Sequence, residues 1–119
     1  MNASRLALAL ILAPLAAQAE DFRPVVGQAE FVSLVAGKTL TQRLFQVGLN
    51  VSANGGISGR ALGGNVTGSW TWQDGFFCRE MNWGGDLIPQ DCQTVEVGGD
   101  LLRFTAERGR GDSTALRIN

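Results

Sequence analysis

Histidine is absent from this chain, which removes the general base of serine and cysteine hydrolases and the imidazole ligand of most metal sites. Two cysteines, Cys78 and Cys92, flank a glycine turn signal at Gly84-Gly85-Asp86. A hairpin centred on Gly85 sets them directly opposite each other. A disulfide is therefore expected, closing a loop worth about 3 kcal/mol in the chain-entropy picture. There is no C-x-x-C spacing to suggest a redox pair, and a bonded pair leaves no thiolate nucleophile. Gly55-Gly56-Ile57-Ser58-Gly59 lies between strand patterns rather than leading from a strand into a helix, so it is not a dinucleotide fingerprint. No cofactor, metal or catalytic residue is assigned. The carboxylates Glu80, Asp86, Asp91 and Glu96 are what remains for acid–base work such as glycoside hydrolysis. Acids on a small sheet are ordinarily solvated surface, so an enzyme ranks behind a binding domain.

One constellation stands out among the charged residues. If Asp74-Gly75 makes a two-residue hairpin turn, Arg79 faces Trp70 across one strand pair. The disulfide register independently sets Arg79 opposite Asp91. A cation between an indole and a carboxylate, on the apolar face, needs those partners because burying it alone is costly. The residues predict either a structural salt bridge or the floor of a small pocket for an anionic or aromatic ligand. In the second case Arg79 and Asp91 are the polar contacts, with Trp70, Trp72 and Trp83 as walls. Cys78, Glu80, Cys92, Thr94 and Glu96 share the opposite, solvent-facing side.

The elements that must position these side chains are mainly β. Phe31, Leu34 and Val35 share one face at helical spacing and Gly37 is a natural stop, predicting one short N-terminal helix. Beyond it, glycine-rich turn signals recur every roughly 9 to 14 residues. Between them alternate Phe45, Val47, Leu49 and Val51; Ile57, Gly59 and Ala61; Val66, Gly68, Trp70 and Trp72; Val95 and Val97; Leu102, Phe104 and Ala106; and Leu116 with Ile118. Two-residue turns at Gly63-Gly64 and Gly98-Gly99 would pair Ala61 with Val66 and Val95 with Leu102. All the apolar sets then fall on one face, and a one-residue slip would destroy that agreement. The pattern predicts an antiparallel meander of about seven strands forming a small barrel or half-barrel.

The chain opens on a leader. Arg5 precedes the apolar run Leu6 to Ala17, and Ala17-Gln18-Ala19 is a small-x-small cleavage pattern, so residues 1–19 read as a signal peptide and residues 20–119 as one small β domain. The apolar run is too short to cross a bilayer core of about 30 Å. The expected address is the periplasm, or the exterior, with no membrane anchor after cleavage. With 10 basic against 11 acidic residues, no positive field points to nucleic acid. Arg110-Gly111-Asp112 reads as part of a turn before the last strand.

Gly68-Ser69-Trp70-Thr71-Trp72, then Asp74-Gly75-Phe76-Phe77-Cys78-Arg79, then Cys92 and Phe104-Thr105, resemble a group of small secreted alphaproteobacterial proteins of unknown function, and the resemblance spans the whole domain. Its members are often labelled dihydrodipicolinate reductase. That activity needs a nucleotide-binding domain, for which this chain has neither the length nor the loop. A weaker likeness is to small barrel inhibitors of bacterial proteases, which also combine Gly-x-Trp strands with one disulfide. The leading expectation is an exported, non-enzymatic β domain binding a small ligand or an envelope protein. The alternative is a periplasmic hydrolase inhibitor of protease type, with Phe22 to Val26 as the segment it would present.

Overall fold

The computed structural model describes residues 21–119; the leader assignment lies outside the described residues. The helix forms where its apolar spacing requires, as α1 (Gln28–Val35), and Gly37 at φ +74° ends it. Its buried face carries Phe31 and Val35. Nine strands accompany it among the described residues: β1 (Arg23–Val25), β2 (Leu40–Gln42), β3 (Val47–Val51), β4 (Gly56–Ala61), β5 (Gly64–Gln73), β6 (Phe76–Trp83), β7 (Asp86–Gly98), β8 (Leu101–Thr105) and β9 (Ser113–Ile118). A short turn, α2 (Ala106–Gly109), links β8 to β9.

The sheet closes on itself. Strands β7 to β2 follow one another in a meander, β2 pairs with β9, β9 with β8, and β8 returns to β7. The result is an eight-stranded antiparallel barrel, with the extra strand β1 paired to β7 on the edge that β6 uses further along the strand. The three-residue strands β1 and β2 escape the alternation rule because so few residues cannot display it, and Pro24 fits only an edge strand such as β1.

The Asp74-Gly75 hairpin has the expected register, with Trp72 opposite Phe77 and Trp70 opposite Arg79. Two other hairpins differ by two residues from the sequence expectation. The β4–β5 turn is Leu62-Gly63, so Ala61 pairs with Gly64 and Gly59 with Val66. The β7–β8 turn is Gly99-Asp100, so Val95 pairs with Phe104 and Val97 with Leu102. In each case one glycine of the pair belongs to the strand because something packs on it. A Cβ on Gly64 would stand 2.6 Å from Nε1 of Trp83, and one on Gly98 would stand 2.9 Å from the carbonyl of Asp21. An even shift keeps every side chain on its face, so the expected inner set is the observed inner set. Two residues depart from the expected faces: Phe45 lies in the loop before β3 and is exposed, and Cys78, expected on the solvent side, is buried.

The disulfide forms between Cys78 and Cys92, directly paired across β6 and β7. The tip of that hairpin is Gly84-Gly85, with Trp83 opposite Asp86, a register that alone would miss the cysteine pairing by one. A bulge corrects it. Pro89 and Gln90 together occupy the place opposite Glu80, after which Arg79 pairs with Asp91 and Cys78 with Cys92. The bulge also explains how Ile88 and Asp91, an odd number of residues apart, both stand on the strand positions of the inner side. The disulfide marks a compartment outside the reducing cytosol. No helix among the described residues is long and apolar enough to cross a membrane.

Candidate functional site

The two ends of the barrel are built differently. At one end α1 lies across the opening and drives Phe31 inward. Its ring meets those of Trp70, Trp72 and Phe77 at centroid distances of 5.1–5.3 Å and that of Phe104 at 6.4 Å. Each indole in this cluster finds an acceptor: Trp70 Nε1 donates to the carbonyl of Ser52 at 2.9 Å and Trp72 Nε1 to that of Val26 at 3.3 Å. The end is a plug of aromatic rings with their polar edges satisfied.

The other end is open. A cavity of about 490 Å³ runs into the barrel from it. Its walls are apolar side chains of successive strands, among them Leu49, Ile57, Val66, Phe77, Phe104 and Leu116. This volume falls within the about 300–1,000 Å³ typical of small-molecule sites. β8 ends at Thr105, opposite Thr94, while β7 continues back to Asp86, and beyond that point the turn α2 with Ala106 and Asp112 carries the wall on. Met81, Trp83 and Ile88 of the overhanging β6–β7 hairpin extend the lining there. Trp83 is fixed by donating from Nε1 to the carbonyl of Ala61 at 2.8 Å, which leaves its ring as a wall.

Arg79 lies where the β8 wall ends, and it is the one cation among the described residues that line the cavity. Its register neighbours are those expected, Trp70 on β5 and Asp91 on β7. The expected ion pair, however, does not close. Both carboxylate oxygens of Asp91 accept from the backbone N–H of Glu107, at 3.1 and 3.2 Å, and one also accepts from Gln93 Nε2. Asp91 thereby holds the left-handed turn of α2, where Glu107 and Arg108 have φ of 55° and 56°. Arg79 donates instead from Nη1 to the bulge carbonyl of Pro89 at 2.9 Å. Burial lowers its pKa from the ordinary arginine value, and the charge of Asp91 only partly offsets that.

Of the five residues proposed from sequence, the structure brings Arg79 and Trp83 to the cavity. Trp70 and Trp72 belong to the aromatic plug and Asp91 to the turn beside the mouth. No family model, curated protein or solved structure matches this chain. The site must be read from its own geometry.

Sequence reasoning missed the rim. Leu44 (78% exposed), Phe45 (49%), Leu62 (55%) and Leu87 (64%) are four of the five large apolar side chains left in solvent among the described residues. Three lie in the connections at the open end, Leu44 and Phe45 between β2 and β3 and Leu62 between β4 and β5, and Leu87 is the second residue of β7, beside the β6–β7 tip. The Leu62 N–H donates to the carbonyl of Phe45 at 3.0 Å, joining two of these loops. Leu62 also lines the cavity and has φ +49°, a conformation ordinarily left to glycine, asparagine or aspartate. The readable signal was there: a leucine at the first turn position before Gly63.

The four carboxylates considered for hydrolysis do not converge. Glu80 points outward and exposed, Asp86 stands at the hairpin tip, and Glu96 pairs with Arg103 at 2.8 Å on the outer face, remote from Asp91. Among the described residues no cluster of three potential metal ligands occurs. Part of the segment Phe22 to Val26 is engaged in the fold, and Val26 stays 71% exposed. β1 pairs Arg23–Val25 with β7, Val25 is buried, and Arg103 lies over the Phe22 ring at 4.0 Å.

Proposed function

We propose that this chain is an exported, non-enzymatic β-barrel that binds a small, largely apolar ligand in its open cavity. The single observation that carries the reading is the asymmetry of the barrel interior. One end is filled by Phe31 and its aromatic neighbours, whereas the other is an apolar hollow reaching solvent through a rim of exposed leucine and phenylalanine. An eight-stranded barrel is just wide enough either to fill itself with side chains or to hold one small molecule, and this chain does the first at one end only. The disulfide and the leader-like residues 1–19 favour release into the periplasm or beyond.

The test is thermal unfolding against a series of straight-chain alcohols, with Leu49→Trp as a variant whose indole occupies the hollow. Ligand at a hundredfold excess over Kd stabilises the folded state by about 2.7 kcal/mol, which for a domain of this size raises Tm by well over 5 °C at about 4–8 °C per kcal/mol. The wild type should show such a shift with the longer alcohols, and Leu49→Trp should stay folded and show none. No shift with any alcohol, or equal shifts in both proteins, would contradict the reading.

A further inference from the structure

We infer that the cavity takes single-chain amphiphiles with a carboxylate head, the head held by Arg79 and the chain running down toward Phe77, Phe104 and Leu116. This rests on the cavity being a ligand site and adds the chemistry of the ligand. A guanidinium has five N–H donors, and the one side-chain hydrogen bond Arg79 makes among the described residues uses Nη1 alone. The ion pairs of the described residues are Arg23 with Glu30, Arg103 with Glu96 and Arg117 with Asp100, none of which involves Arg79. The carboxylate beside it, Asp91, already accepts from Glu107 and Gln93. A half-buried cation on an apolar wall, lacking an anion in contact, is an unfavourable arrangement unless something else completes it. The fork geometry of arginine suits a carboxylate in particular, through two parallel hydrogen bonds.

The position supports the same ligand. Arg79 is only half-buried, so a head bound there remains near solvent while its chain enters the apolar interior. The opposing charges are Asp91, which faces Arg79 across β6 and β7, and Asp112 on the β9 side of the lining, which is exposed and therefore well screened by water. Arg79 is the one cation among the described residues that line the cavity. The exposed Leu62, which also lines the cavity, is suited to receiving an apolar chain.

The experiment is a binding titration with three probes of one chain length, dodecanoate, dodecanol and dodecyltrimethylammonium, each below its micelle concentration at pH 8. A charge-assisted hydrogen bond contributes about 1.5–3 kcal/mol, so dodecanoate should bind about ten- to a hundredfold more tightly than dodecanol. The cationic probe should bind most weakly. Arg79→Gln should bring dodecanoate down to the affinity of dodecanol and leave dodecanol unchanged, while Arg79→Lys should retain part of the preference. Equal affinity of the wild type for all three probes, or preference for the cation, overturns the carboxylate inference while leaving the cavity reading intact. Binding of none of them overturns both. The wild-type series decides the question even if Arg79→Gln fails to fold.

Discussion

The closed and open ends of this barrel are made from the same strands, yet they obey opposite rules. At the closed end the large side chains other than the exposed Val26 have neighbours. Phe31 is fully buried among Trp70, Trp72, Phe77 and Phe104, and the indole N–H groups have acceptors. At the open end leucines stand in water, a leucine occupies a left-handed turn position, and a cation lines an apolar wall without an anion in contact. Each of those three features costs stability, and the Leu62 N–H bond to Phe45 and the charge of Asp91 beside Arg79 offset only part of it. Local violations of the folding rules concentrated at one place are the usual mark of a site selected for binding rather than for stability. The comparison therefore locates the site by what the rest of the chain does not tolerate.

The comparison can be broken most forcefully at the closed end. Phe31→Ala should lower the unfolding free energy by about 3–5 kcal/mol, as for a buried aromatic ring, measured by urea denaturation. A loss below 1 kcal/mol would mean that α1 is not a plug. Replacing both cysteines by serine should cost about 2–5 kcal/mol, and wild-type stability in reductant would contradict a structural bond between β6 and β7.

The open end should respond in the other sense. A non-glycine residue in the left-handed region costs about 1–2 kcal/mol, less for asparagine, so Leu62→Asn should leave stability unchanged or raise it by up to about 1 kcal/mol. The same substitution should weaken uptake of a long-chain alcohol. Destabilisation instead would show that Leu62 is there to pack the fold. The smallest effect is expected from Leu44→Ser with Leu87→Ser, within about 0.5 kcal/mol each as for surface positions. A larger loss would mean that the rim supports the barrel rather than its ligand.

The contrast also accounts for what was legible in the sequence. The closed end follows from periodicity. Phe31 and Val35 recur at helical spacing, Trp70, Trp72 and Phe77 fall on the inner positions of adjacent strands, and the Asp74-Gly75 turn fixes their register. Cys78 and Cys92 pair as their spacing predicts, although the route includes a bulge at Pro89 and Gln90 that no alternation rule reveals. In the pocket reading the three indoles are walls, and two of them instead fill the plug. Distance from the helix decides between the two roles, and a helix connected by a short loop can cover either end. Arg79 was legible because two registers converge on it. Its failure to pair with Asp91 was not, because the competing donor, the Glu107 N–H, comes from a turn whose left-handed shape has no glycine at positions 107 and 108 to announce it.

The central claim is that a ligand enters the barrel through the open end. It is tested most directly by nuclear Overhauser contacts from bound dodecanoate to assigned methyl groups. The account predicts contacts from the chain to Leu49, Ile57, Val66 and Leu116 within the cavity and none to Val35 behind the aromatic plug. Contacts confined to Leu44 and Leu87 on the outer rim, or to Val26 at the far end, would contradict it.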